Sequence, residues 1–237
     1  MTAYVRSTKP ADELKATLKA DRIIVGDFSD FEKVRKASSE HDIAVNAGNS
    51  FTADPVAAII AGQKEKGGPS KGVVIHISGA GNFIDFGTSG NFNPESKVWN
   101  DAAEDDIKAV HKDMFNGQSD MLVLGAGAAG GVDTYIVCPS VVYGGSSVSS
   151  PSMGVGYNLL TGNAKPLGYV PYVGDGTAIL STVGGPRLFD DTRFALLVLL
   201  MLSVVSYSRP RRLPRQDLWS CCRRPCSGNC IQPLLPA

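Results

Sequence analysis

The stretch 122-LVLGAGAAGG-131 decides how the chain is to be read. Gly125, Gly127 and Gly130 spell G-x-G-x-x-G behind the apolar run Met121-Leu122-Val123-Leu124, which is the outline of a dinucleotide fingerprint. That fingerprint works only in the turn between a strand and a helix of several turns, whose N-terminus holds the pyrophosphate. After Gly130 only Gly131, Val132, Asp133 and Thr134 stand before the next apolar run, YIVCP, so no helix fits. SDMLVLGAGAAGG therefore reads as the end of a helix followed by a Gly-rich loop.

Outward from that point, strand and helix patterns alternate. TAYVRS (2–7), RIIVGD (22–27), HDIAVNAG (41–48), KGVVIHISGAG (71–81) and DTYIVCP (133–139) have β character. PADELKATLKA places Leu14 and Leu18 on one helical face. SDFEKVRKAS opens on Ser29 or Asp30 as an N-cap, and DPVAAIIAGQKEKG, AEDDIKAVHKDMF and SMGVGYNLLTGN complete the helices. Strands and helices alternating at this spacing predict an α/β fold, a parallel sheet with helices on both faces.

The chain has 237 residues, 43% of them apolar, and a net charge of zero. That charge offers no field for nucleic acid, and nucleic acid is not expected as a partner. From Arg209 onward, however, six arginines face one acid, Asp217. Cys138 stands apart, whereas Cys221, Cys222, Cys226 and Cys230 crowd into ten residues. The first two hundred residues read as a reduced, cytoplasmic protein. The N-terminus has no apolar core of a secretory signal. The longest apolar run, FALLVLLMLSVV (194–205), falls short of the ~20 residues of a bilayer span and reads as a buried helix. Cys222, Cys226 and Cys230 lie at x3 spacings, but structural zinc sites want two C-x2-4-C pairs separated by a longer loop, with only Cys221 left as a fourth ligand, and no metal is expected.

YVRS, VGDFSD, DIAVNAG, VVIHISGAG, DTYIVCPSVVYG and PYVGDGTAILSTV occur in an order that resembles the NAD(P)-binding epimerase/dehydratase group of the short-chain dehydrogenase superfamily, in its extended and atypical branch with NmrA-like relatives. The resemblance covers Thr2 to Val183. It implies a Rossmann-type domain over residues 1–183. Residues 184–237 would then hold the remnant of a substrate subdomain, a short apolar helix and an irregular or disordered Arg/Pro/Cys-rich tail.

The resemblance also assigns residues. Arg6 would lie beside the adenosine ribose, where a guanidinium pairs with a 2′-phosphate, so NADP(H) is favoured over NAD(H). The alternative for Arg6 is a solvated strand end. Gly26 and Asp27 would contact the adenine edge, with Phe28 packed on the ring; the alternative is a plain turn with an N-cap. Asn46, Ala47 and Gly48 would let the backbone approach the cofactor. Ser78 matches the catalytic Ser/Thr that bonds a substrate carbonyl or alcohol, and Pro139 opens the segment lining the nicotinamide.

The pattern also breaks. The chain opens at what the family would count as its second strand, so no Gly-rich phosphate turn is read and cofactor binding is expected to suffer. The family's central first strand would be missing, leaving strand edges unpaired across a gap. The Tyr-x-x-x-Lys pair is absent from DDIKAVHKDMFNGQSDMLVL, where His111 and Lys112 are the only stand-ins. The tail after Val183 reads as out-of-frame or intron-derived. Three functions stay open: an oxidoreductase or epimerase-like enzyme acting on a small carbonyl or sugar-nucleotide substrate, a non-catalytic NAD(P)-binding sensor, or a truncated product. A homodimer through helices such as DDIKAVHKDMF is the expected assembly.

Overall fold

The computed structural model describes residues 1–7, 15–16, 19–67, 70–143, 162, 164–179, 181–184 and 205–206. Within them, strands β1 (Thr2–Val5) and β2 (Arg22–Val25) pair in parallel. Strands β3 (Ile43–Asn46), β4 (Gly72–Ile77) and β5 (Val132–Val137) form a second parallel sheet. Its far edge is β8 (Val205–Ser206), antiparallel to β5, while β6 (Val141–Tyr143) and β7 (Thr182–Gly184) pair separately. The α/β class read from the alternating pattern is what the structure has.

The helices pack on the β3–β4–β5 sheet and on one another. Helix α1 (Phe31–Ser39) is capped by Asp30, whose carboxylate accepts the Lys33 N–H. It buries Val34 and Ser38, spaced four apart. Helix α2 (Ala53–Glu65) carries Pro55 in its first turn, where the missing N–H costs nothing. Gly62 sits in its last turns because α1 lies against it, and a Cβ there would come within 2.2 Å of the Arg35 carbonyl oxygen. The short helix α3 (Glu104–Lys108) is followed by α4 (Gly117–Ala128), which packs on α2, β4 and β5. Val56, Val74 and Val123, fully buried where these elements meet, each contribute about 1.5–3 kcal/mol by leaving water.

The predicted helix over AEDDIKAVHKDMF needs correction. It stops at Lys108, and the chain then turns, with Met114 N–H bonded to His111 O and Gly117 N–H to Met114 O. A Cβ on Gly117 would lie 1.9 Å from the His111 carbonyl oxygen, so this tight reversal needs the glycine. The segment 122–131 is more helical than its glycines suggest. Gly125 and Gly127 lie inside α4, and Gly130, at φ +77°, ends it in the left-handed conformation.

Other expectations lie wholly or mostly outside the described residues: the helix over 10–20, SMGVGYNLLTGN, the 194–204 run, the Cys-rich tail and the proposed second domain. Of the apolar run read as a helix, Val205 instead begins β8, drawn in by the open edge of β5. No helix among the described residues is long and apolar enough to cross a membrane.

No ladder joins the β1–β2 pair to the larger sheet among the described residues. Tyr4 and Phe28 make the connection with their side chains. Their rings stack at 6.0 Å, and both pack against the main apolar core. The outer edge of β3 carries Ile43 and Val45, which are 55% and 58% exposed.

Candidate functional site

Parallel pairing in register places Asn46 beside His76 and His76 beside Ile136. Ser78 lies two residues beyond His76 and so on the same face of the chain, toward α4. Its N–H bonds to Val137 O at 2.8 Å, and Ala80 N–H bonds to the carbonyl of Pro139 at 3.0 Å. The β4–β5 ladder thus continues past both strand ends. C-terminal ends of parallel strands are where open α/β sheets bind ligands.

A buried polar cluster fills this end of the sheet. Ser78 Oγ donates to Asp120 Oδ2 at 2.7 Å, and Asn82 Nδ2 donates to the same oxygen at 2.6 Å. Asn82 Oδ1 in turn accepts the Asn116 N–H at 2.6 Å. His76 Nε2 lies 3.2 Å from Ser119 Oγ and 3.3 Å from Asp120 Oδ1. Asn46 Nδ2 is 2.9 Å from His76 Nδ1 and also donates to Asn49 O at 2.8 Å. Asp120 is 2% exposed, His76 not at all and Ser78 7%. Asp120 Oδ1 has no hydrogen-bond partner among the described residues, and His76 Nε2 stands 3.3 Å from it.

Cys138, at the end of β5, belongs to the same neighbourhood. Burial, followed by the Asp120 charge, pushes its thiol up to about 12, against a smaller opposing hydrogen bond with Ser78. This thiol is inert as a nucleophile near neutral pH.

The residues assigned to adenosine gather at the ends of β1, β2 and β3. Asp27 Oδ1 accepts the Ser29 N–H at 2.9 Å; hydrogen bonds from Ser29, with a smaller contribution from the Arg6 charge, hold its carboxyl below the ordinary range. Arg6 and Asp27 are both exposed. Gly26 packs under the Tyr4 hydroxyl, which donates to the Asp27 carbonyl at 2.9 Å. The Phe28 ring lies over Gly48, where a Cβ would meet it at 2.2 Å. Ala47 is exposed, and the Asn46 side chain is committed to the buried cluster. His111 lies in the turn after α3, exposed and 3.9 Å from Asp113, rather than on the helix that faces Ser78.

An exposed guanidinium and carboxylate thus stand near the Phe28 ring, which is packed between Tyr4 and Gly48. A pyrophosphate cradle is not formed by the glycines of 125–130, which lie within α4 and at its C-terminal end. Asp120 was not anticipated. The signal for it was a lone carboxylate leading the otherwise apolar MLVLGAGA run, paired with a histidine inside the apolar VVIHIS run.

No model of a protein family matches the chain, and no curated protein does. Among solved structures, the PbgP3 protein from Burkholderia pseudomallei is 13% identical, with 65% of this chain and 49% of that one covered and a TM-score of 0.38. Yeast methylglyoxal/isovaleraldehyde reductase Gre2, complexed with NADPH, is 19% identical over 62% of this chain and 52% of that one, with a TM-score of 0.38. A short-chain dehydrogenase from Streptomyces avermitilis is 15% identical over 84% and 86%, with a TM-score of 0.37. The chain spans about half the length of the first two.

Proposed function

We propose that the chain is an NAD(P)-dependent oxidoreductase or epimerase-like protein acting on a small carbonyl, an aldehyde or ketone, or on a sugar nucleotide. The observation that carries this reading is the Ser78 hydroxyl at the C-terminal end of the central strand, held at 2.7 Å by the buried Asp120 carboxylate. Ser78 Oγ is the group that meets the substrate oxygen. A bound nicotinamide would supply or accept the hydride at the substrate carbon. Arg6 favours NADP(H) over NAD(H), because its exposed guanidinium suits a 2′-phosphate.

The test is a fluorescence titration with NADPH and NADH, followed by NADPH oxidation over a panel of aldehydes, ketones and nucleotide sugars. Binding tighter for NADPH, and turnover that Ser78→Ala lowers about tenfold or more, is the expected result. No nucleotide binding at millimolar concentration would overturn it.

A second reading, a non-catalytic NAD(P)-binding sensor, is favoured by one observation. The face of α4 directed at Ser78 presents Ser119 and Asp120 and no tyrosine. Saturable NADPH binding without turnover on any carbonyl is its signature. For either form, a homodimer is the assembly we would test first.

A further inference from the structure

We propose that Asp120 is the proton acceptor of this site, working through the Ser78 hydroxyl, with neutral His76 positioned behind the carboxylate. The reaction it serves rests on the function proposed above; the proton arrangement rests on the geometry alone.

The tautomer of His76 follows from its partners. Asn46 Nδ2 donates to Asn49 O at 2.8 Å, and Asn46 Oδ1 accepts the Gly48 N–H at 3.4 Å, which sets the direction of that amide. An amide nitrogen only donates, so His76 Nδ1, 2.9 Å away, must accept and carries no proton. The ring proton is therefore on Nε2, hydrogen-bonded to Ser119 Oγ, with Asp120 Oδ1 3.3 Å from the same nitrogen. Ser119 spends its own proton on the carbonyl of Ser50 or of Asn116, at 2.5 and 2.9 Å, leaving its lone pairs to accept. The result is a neutral N–H held at Ser119 Oγ, next to Asp120, and set by partners on β3, β4 and α4.

Asp120 is the carboxylate in contact with this hydroxyl. Its Oδ2 is held by two donors, Ser78 and Asn82, and only one of these can pass on a proton, since an amide N–H does not dissociate in this range. The titratable groups beside the pair are His76 from β4 and Cys138 just after β5, with Asp101, from the turn before α3, acting on the Cys138 thiol. Among the described residues no lysine or arginine bonds to this carboxylate, so the negative charge is carried by hydrogen bonds.

In the oxidation direction, a substrate alcohol O–H gives its proton to Ser78 Oγ while the proton already on Ser78 passes to Asp120 Oδ2. The hydride from the substrate C–H bond would pass to a bound oxidised nicotinamide, leaving the substrate oxygen to form the carbonyl double bond. Asp120 ends as a carboxylic acid and returns its proton to water. Carbonyl reduction runs the same transfers backwards. Asp120 thus acts through Ser78 as a positioning and proton-holding residue.

The experiment compares the full-length chain with Asp120→Asn, Asp120→Glu and Ser78→Ala. NADPH binding, kcat, KM and the pH profile of kcat are measured for each. Asp120→Asn should bind NADPH like the parent, keep KM, lose about 100-fold or more in kcat and lose the pH dependence of kcat, with part restored by Asp120→Glu. An Asp120→Asn variant that binds NADPH and keeps both kcat and its pH profile overturns the proposal. If no variant binds nucleotide, the proposed function fails, and infrared difference spectra between neutral and acidic pH decide the proton arrangement. The carboxyl band that Asp120→Asn removes should move in Ser78→Ala, since that variant removes the hydroxyl bonded to it. A band that Ser78→Ala leaves unmoved overturns the proposal without any reference to turnover.

Discussion

The side-chain amide of Gln63 and the main-chain carbonyl of Ser38 lie 2.6 Å apart in the interior, where Gln63 is 1% exposed. The same nitrogen also donates to His41 O at 3.0 Å, and Gln63 Oε1 accepts the Val73 N–H at 3.0 Å. One side chain of α2 thereby ties the end of α1 to the start of β4. Gln63→Leu fills the space, and Ser38 O keeps the His41 N–H while Val73 N–H keeps Asp42 O, so the cost is about 1–3 kcal/mol for the His41 carbonyl that loses its amide donor. Urea unfolding should show that loss, and Tm should fall by about 2–4 °C for each kcal/mol. A loss below about 1 kcal/mol would mean that this carbonyl finds another partner.

The glycines of 122–131 give opposite responses if they belong to a helix and its cap. Gly125 is exposed within α4 with nothing within 4 Å of a Cβ, so Gly125→Ala should stabilise by about 0.5–1 kcal/mol. Gly130 is left-handed, and Gly130→Ala should cost about 1–2 kcal/mol. Thermal denaturation measures both. Neither substitution should alter NADPH binding, whereas a phosphate-binding turn would lose it with Gly125→Ala.

Cys138 should resist alkylation in the folded protein and react on unfolding, as peptide mapping after iodoacetamide at mildly alkaline pH would show. Its folded thiol is pushed up to about 12 from 9.0, so the neutral form is favoured by folding. That contribution is complete below the unfolded value and is lost as pH rises through the window from about 8.5 toward 12. Cys138→Ser should narrow the fall in stability measured across that window, leaving the remainder to other alkaline groups.

Ile43 and Val45 lie on one face of a strand whose outer edge no described strand pairs, with more than half of each side chain in water. Such edges template association between chains. Val45→Lys should reduce self-association by light scattering at high protein concentration, with a stability change within about 0.5 kcal/mol. Unchanged scattering would mean that contacts elsewhere drive association.

The parallel strands were legible because VVIHI and YIV are short apolar runs bounded by Gly and Pro, and the local alternation of patterns implies the fold class. Register was not legible, and the cluster depends on it. Nothing local says that Asn46 stands beside His76, or that Asp120 lies within reach of Ser78, since those partners are 30 and 42 positions apart. The helix break at 109–116 could have been anticipated from Asn116-Gly117, a turn dipeptide within an apparently helical stretch. Ser78 was reached by resemblance, and its carboxylate partner only by geometry.

The side-chain joint made by Tyr4, Phe28 and Gly48 has a dynamic consequence. A strand pair that shares no main-chain bonds with its neighbour can open without breaking that neighbour's ladder, so β1 and β2 form a cooperative unit of their own. In native-state hydrogen exchange, the amides that pair β1 with β2 should exchange together and well before those of Val74 and Tyr135. The adenosine end of the proposed site would then be the part of the molecule that breathes, while the Ser78–Asp120 end keeps its shape.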